Sequence, residues 1–439
     1  MHRAIFLCLS VMLLAGCAAP TPQEAPLTAA PTPIVTEPPA GTATNLIPST
    51  TTGEPEATPE PSPTAGQPAA TPEPSSPPEL EPLRIAYTGA DGNLWLLDPL
   101  TGEQEQLTQD AANPVADSPD ETIQYCCAQW TTDRSLLSYR RDVGTPITDG
   151  LDYRFGLWVY DVAAGEHRQV LEDQVVAGFS WKPLTHLLVY GLPVAEGYFT
   201  GRGEVSAEPA RGIWAVDVDR GEPFELVPPQ GGYSLVNPKW SRDGRFLSFE
   251  EVLYLEGRGN FAYFDLEAQE YVAWERSIGI YDWSPDGRQI VYDDLTYAPS
   301  GTERIYLSDR MGSGERDFSP PLEGGYAFYP VFSPEGDRIA YLAELAGPES
   351  GSSLSGSSLS GSSLSGGYTL FVQSLADGEA QPLGVFEQVN DLAWLPDGSG
   401  LILSAGSWGL RQVLQVAFPG GEVTTLAEGY QPSLPQLLP

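Results

Sequence analysis

DWSPDGRQIVY, residues 282–292, is the stretch whose reading decides the fold. Pro285 presets φ for a tight turn, Asp286 tolerates the next position, and Gly287 accepts a left-handed backbone. Strand formers flank the turn: Asp282-Trp283-Ser284 before it, and Gln289-Ile290-Val291-Tyr292 after it. The apolar residues after the turn are contiguous, not alternating, which predicts a strand buried on both faces. The unit returns at KWSRDGRFLSF (239–249), VFSPEGDRIAY (331–341) and AWLPDGSGLIL (393–403). Weaker echoes stand at QWTTDRSLLSY (129–139) and SWKPLTHLLVY (180–190).

A second hairpin signal follows each of these: an apolar strand, a polar turn often built on Asp and Gly, then another strand. LWLLDPLTGEQEQLT (94–108), LWVYDVAAGEHRQVL (157–171) and IWAVDVDRGEPFELV (213–227) show it, and four further copies bring the count to seven. Two hairpins make one antiparallel unit of four strands, repeating every 43 to 62 residues between leading aromatics, as in propellers with loop insertions. Six first hairpins against seven second hairpins leave one innermost strand missing, in the unit that begins at LRIAYTGADGNLWLL (83–97). GYQPSLPQLLP (429–439) is the candidate to supply it. The expectation is therefore an all-β chain, a β-propeller of seven four-stranded blades (six or eight being the alternatives). The C-terminal strand, residues 430–436, would join 84–89 of the first blade and leave no open edge. The leading aromatics Trp130, Trp181, Trp240, Trp283, Phe332 and Trp394 are read as packing between blades, and Asp243, Asp286, Glu335 and Asp397 as turn formers.

The W-S-P-D-G-x-x-I-x-Y unit with its following D-x-x-x-G-x-x-x-x-L-T hairpin resembles the TolB-type, WD-repeat-like propeller family over essentially all of 83–439. The resemblance implies the fold, and either protein–protein contact or an accessory role beside a catalytic domain. The chain departs from the pattern, because a Pro-rich segment stands where an α/β domain would be and no hydrolase domain follows the repeats.

Residues 1–17, MHRAIFLCLSVMLLAGC, have a basic start, a short apolar run and a small-residue exit. That is an export signal and too short to span a membrane. Leu14-Ala15-Gly16-Cys17 resembles the bacterial lipobox, and the resemblance implies an acylated Cys17 at the mature N-terminus and lipid anchoring in the cell envelope, outside the cytoplasm. Residues 18–82, rich in Pro, Thr, Ser and Glu, cannot bury enough apolar surface to offset ordering and read as a disordered stalk.

The remaining 83–439 carries 21 basic and 51 acidic residues, a net charge near −30, which argues against nucleic acid or an anionic lipid surface as partner. Cys8 leaves with the signal, so Cys126 and Cys127 in YCCAQW remain, a candidate vicinal disulfide with no zinc pattern around it. Asp217 and Asp219 are spaced like two calcium ligands but fit an ordinary hairpin turn. No metal or cofactor is expected. Only His167 and His186 follow the signal, both at predicted turns, and no nucleophile elbow or phosphate loop is present.

Loops between second and third strands are long: 140–156, 191–212, 250–260, 293–303 and 342–367, the last containing the repeat GSSLSGSSLSGSSLSGG (351–367), read as flexible. They collect Arg140, Arg141, Tyr153, Arg154, Tyr198, Arg202, Arg211, Tyr254, Arg258 and Tyr297, residue types favoured at interfaces. The leading expectation is a monomeric, lipid-anchored envelope protein whose rim binds a protein or glycan without catalysis. The alternative is a propeller glycosidase or lyase with a carboxylate pair in the central funnel.

Overall fold

The computed structural model describes residues 82–435 except 113–119, 148–149, 173, 193–209, 253–258, 295–303, 320–324, 345–366 and 408. Among these residues the regular elements are β-strands, paired antiparallel throughout. Five four-stranded sheets follow one another along the chain. We number them II (122–172), III (179–227), IV (234–273), V (281–317) and VI (326–386). A seven-stranded sheet joins the two ends of the domain, in the order Asp391–Trp394, Gly400–Ala405, Gln412–Ala417, Val423–Ser433, Ile85–Gly89, Leu94–Leu97, Gln104–Gln106. Its C-terminal strands are called VII here, and its N-terminal strands I. Val423–Ser433 serves both: Val423 to Glu428 pair with Gln412–Val416, and Gly429 to Ser433 pair with Ala86–Gly89. This succession of small antiparallel sheets is a β-propeller architecture.

The repeat motif builds the turn that its residues dictate. Ser284 Oγ donates to Asp286 Oδ1 (2.6 Å) and accepts from the Gln289 amide (2.9 Å), while Gly287 sits at φ 64°. Ser241, Asp243 and Phe246 repeat the arrangement one sheet earlier. The strand after each turn is enclosed from both sides, as its unbroken apolar run predicts: Gly400–Ala405 is buried at every residue, and Phe246–Val252 at all but one. The leading aromatics are core. Trp283 is 1% exposed and Phe332 fully buried. Trp181 and Trp394 donate their indole N–H to the carbonyls of Gln129 and Val331 in the preceding sheet, at 3.1 and 3.3 Å.

One device was not read from the sequence. Three residues before four of the innermost-strand positions stands a non-glycine residue with positive φ: Cys127 (65°), Asn237 (53°), Tyr329 (58°) and Gln431 (53°). The strand bulges there, and the bulge turns a backbone N–H toward the preceding sheet. Asn237 N bonds Ala177 O (2.8 Å), Tyr329 N bonds Asp293 Oδ2 (2.9 Å), and Cys127 N bonds Gln431 Oε1 (3.4 Å). Strain of this kind persists only where its surroundings hold it; here it stitches neighbouring sheets together.

Candidate functional site

The segment 140–156, expected as a loop, is strand at each of its described residues. Leu136–Ile147 and Gly150–Asp161 pair without interruption from Leu136↔Asp161 to Ile147↔Gly150. The Val143, Thr145 and Ile147 alternation, with its partners across the hairpin, supports strand over loop. The outer strand Glu166–Glu172 covers Gly150–Asp161 only from Gly156 onward. Residues 150–155 therefore have no strand partner on their outer side among the described residues, and the hairpin extends about 20 Å past the outer strand at 3.3 Å per residue.

Strand alternation divides the candidate residues of this hairpin between two faces. Arg140, Asp142, Tyr153 and Phe155 share one face; Arg141 and Arg154 share the other. Arg140 is not a rim contact. Its guanidinium pairs with Asp142 at 2.8 Å with both side chains nearly buried, and it lies 5.8 Å over the Phe155 ring. Burial raises the Asp142 pKa, outweighing the pull of Arg140. Arg141 bonds Asp110 (2.8 Å) and the Tyr125 hydroxyl (3.1 Å), and Tyr125 in turn donates to Asp110. Burial with that carboxylate beside it pushes the Tyr125 phenol up to about 12. Arg154 is exposed and 3.4 Å from Glu121. Tyr153 stacks on Phe155 at 6.0 Å. Arg211 sits where the chain enters Ile213–Asp217, its backbone amide bonded to Ser234 Oγ (3.1 Å). Tyr198, Arg202, Tyr254, Arg258, Tyr297 and Cys17 lie outside the described residues. Cys126 and Cys127 form a vicinal disulfide in Thr122–Trp130, with Cys126 opposite Arg140.

At the opposite ends of the strands, His186 links sheets II and III. Its Nδ1 is 2.8 Å from Asp219 and its Nε2 is 3.1 Å from both Asp133 and Ser135 Oγ. Ser135, His186 and Asp219 thus have the spacing of a Ser-His-Asp triad, but Asp133 occupies the nitrogen that would act as base. Burial lowers the His186 pKa, and its bonds to Asp133 and Asp219 overcome this and raise it. Held between two carboxylates, the His186 ring ties sheet II to sheet III and forms an ion pair when it is protonated. His167, predicted at a turn, lies in the strand Glu166–Glu172.

Three carboxylates on the inner strands hold protein donors, whereas Asp142 Oδ1 and Glu344 Oε2 are buried without a hydrogen-bond partner among the described residues. Asp282 takes Lys239 Nζ (2.9 Å), Arg242 (3.5 Å) and the Phe332 amide (3.0 Å). Asp293 takes the Ile280 and Tyr329 amides, and Asp391 takes Ser404 Oγ (2.6 Å). Among the described residues no group of three or more His, Cys, Asp or Glu is gathered to hold a metal ion.

A cleft of about 380 Å³ opens between sheets I and VII, at the same strand ends as the hairpin, lined by Tyr87, Gly89, Asp91, Trp95, Gln104 and Glu428. The sequence reading passed over it. Trp95 belongs to the second hairpin signal, where no role was read for it, and Glu428 is 333 positions away in the chain.

No family model matches the chain. Dipeptidyl-peptidase 5 of Porphyromonas gingivalis is 26% identical over 157 residues, 34% of this chain, and the match spans only 21% of that protein's length. Among solved structures, a prolyl endopeptidase is similar at TM-score 0.53 and 15% identity, covering 76% of this chain and 46% of the other. An oligogalacturonate lyase in complex with manganese is similar at TM-score 0.51 and 16% identity, covering 79% and 85%. TolB from Acinetobacter baumannii aligns more loosely, at TM-score 0.43 and 15% identity over 81% and 83%. At such identities likeness speaks for the fold alone, and with the sheet order it makes the domain a β-propeller.

Proposed function

We propose that this chain is an exported, non-catalytic binding module that docks an envelope protein on the hairpin of sheet II. In this reading Cys17 carries a lipid anchor, 18–82 is the stalk, and 83–439 is a closed ring of seven blades. Support for seven blades comes from counting sheets I and VII as two units that share Val423–Ser433. In this reading the shared strand is outermost in one unit and innermost in the other, and so would close the ring.

The observation that carries the docking role is the edge at 150–155, which no strand covers among the described residues. An extended peptide adds to such an edge through main-chain hydrogen bonds, with side chains beside it setting specificity. Tyr153, Phe155 and Arg154 supply an aromatic face and a cation there. The funnel alternative has less behind it at Asp282, Asp293 and Asp391, which already hold protein donors.

The test uses the full chain as bait on the source organism's envelope fraction, beside a variant lacking 145–152. Thermal midpoints of the two should agree within a few degrees, because the hairpin tip lies outside the sheet core. A partner retained at least tenfold less by the shortened variant supports the reading. Equal retention overturns it, as does saccharide turnover by the full chain.

A further inference from the structure

The cleft between sheets I and VII has an internal control, because the repeat places the same residue types at the neighbouring junction. In sheet II, Tyr139 opposes Trp158, and Trp158 opposes Gln169. In sheet I, Tyr87 opposes Trp95, and Trp95 opposes Gln106. The sheet II junction is bridged. Tyr139 Oη lies 2.8 Å from His167 Nδ1, and His167 Nε2 lies 3.0 Å from the Leu107 carbonyl of the adjoining sheet. A carbonyl only accepts, so Nε2 donates to it. Sheet V closes its own gap differently, with Arg276 and Glu315 gathered on the Tyr292 hydroxyl.

In sheet I the position of His167 is taken by Gln104. Tyr87 donates to Gln104 Oε1 (2.9 Å), which fixes the amide and leaves its N–H groups without an acceptor among the described residues. The Tyr87 phenol is pushed up to about 12 by burial and by Asp91, so it stays a donor across the physiological range. Trp95 is held as well. Its Nε1 donates to Asp91 Oδ1 (3.1 Å), and Asp91 also takes Asn93 N, Asn93 Nδ2 and Gln106 Nε2. Gly89 lies against the indole so closely that a Cβ there would stand 2.7 Å from Trp95 Cδ1 and Nε1. Only glycine allows that approach. The result is a fixed, partly exposed aromatic wall edged by an amide and by the Glu428 carboxylate.

We propose that this cleft binds one residue of a neutral or amino sugar. A pyranose has an apolar C–H face that suits an aromatic wall, and hydroxyls around its rim that suit the Gln104 amide and the Glu428 carboxylate. The volume falls at the small end of ligand sites, about 300 to 1,000 Å³, enough for one ring and little more. The lining contains two acids, Asp91 and Glu428, and no cation. Uronates, phosphates and nucleotides are therefore repelled, whereas an ammonium is drawn to Glu428. This site does not depend on the hairpin reading and stands or falls separately.

The experiment titrates the full-length protein with three probes: the N-acetylglucosamine trimer, the glucosamine trimer and the galacturonic acid trimer. Calorimetry and ligand-observed NMR give the affinities. The expected result is saturable binding of the first two, tighter for the glucosamine trimer, and none of the third. Trp95→Ala should weaken binding at least tenfold. Gln104→Ala and Glu428→Gln should weaken it several-fold, the latter mainly for the glucosamine trimer, and these two exposed positions keep the test valid if Trp95→Ala does not fold. Absence of binding by both amino-sugar probes overturns the proposal. So does equal binding of the galacturonic acid trimer, or binding that neither exposed variant alters.

Discussion

Sheets I and II are built from one pattern and diverge at their edges. Both present a Tyr–Trp–Gln row toward the preceding sheet. In sheet II the row is bridged by His167, and the strands run on into a hairpin tied by ionic and aromatic contacts. In sheet I the strands stop at a tight turn, Gly89 to Asn93, and the row stays open as a cleft. A repeat unit satisfies the core with its inner two strands, so its outer edge is free to differ. Function in such a fold is sought where two equivalent edges disagree.

The difference predicts that sheet II tolerates loss of its edge groups poorly. Arg140→Ala leaves Asp142 nearly buried without its ion-pair partner, a change that costs about 3 kcal/mol. Because Asp142 is already raised by burial, protonation can relieve the loss, so the deficit measured by urea unfolding should shrink as pH falls from 8 to 5. A deficit under about 1 kcal/mol at pH 8 would mean the hairpin base is not held by this pair. His167→Ala should come next, at roughly 1 to 2 kcal/mol, since it removes the partners of the Tyr139 hydroxyl and the Leu107 carbonyl. The equivalent Gln104→Ala in sheet I should cost less than about 0.5 kcal/mol, having no bridge to break. Equal costs at the two positions would erase the distinction between a sealed and an open junction.

The succession of four-stranded sheets was legible because its causes are local. Ser-Pro-Asp-Gly turns and unbroken apolar runs each act within a few residues, and counting them along the chain gives six first hairpins against seven second ones. The strand shared between Gly429–Ser433 and Ala86–Gly89 could be inferred from that count. The hairpin at 140–156 was misread because Gly144, Pro146 and Gly150 are turn residues, yet the strands continue through the first two by pairing across to Tyr153 and Leu151. Tertiary pairing overrode local propensity. The bulges were missed because Cys127, Asn237, Tyr329 and Gln431 share a backbone angle and no side-chain type. Their constant distance of three residues before the next core position was the one available signal. The cleft was out of reach for another reason: its two sides come from opposite ends of the domain and are joined by a single strand.

The smallest expected effect concerns the junction of sheets II and III, which is sealed by charge where the junction of I and II is sealed by a bridging imidazole. His186 bonds Asp219 and Asp133, and its pKa is raised in the folded protein. A group raised on folding stabilises below its unfolded value, about 6.5, and that contribution fades as pH rises through the folded value. Asp133 has the opposite sign. Burial pushes it up, but its bonds to Thr131, Ser135 and His186 outweigh this and take it down to about 2. It therefore stabilises above about 3.9 and fades as pH falls toward 2. Between these limits the clamp is complete, and the part-exposed groups make it worth about 1 kcal/mol or less. Unfolding midpoints from pH 5 to 9 should decline for the native chain relative to His186→Gln, whose side chain does not titrate. Parallel curves would show that the imidazole carries no charge at this junction, leaving sheets II and III joined by packing and by hydrogen bonds such as that from Trp181 Nε1 to the Gln129 carbonyl.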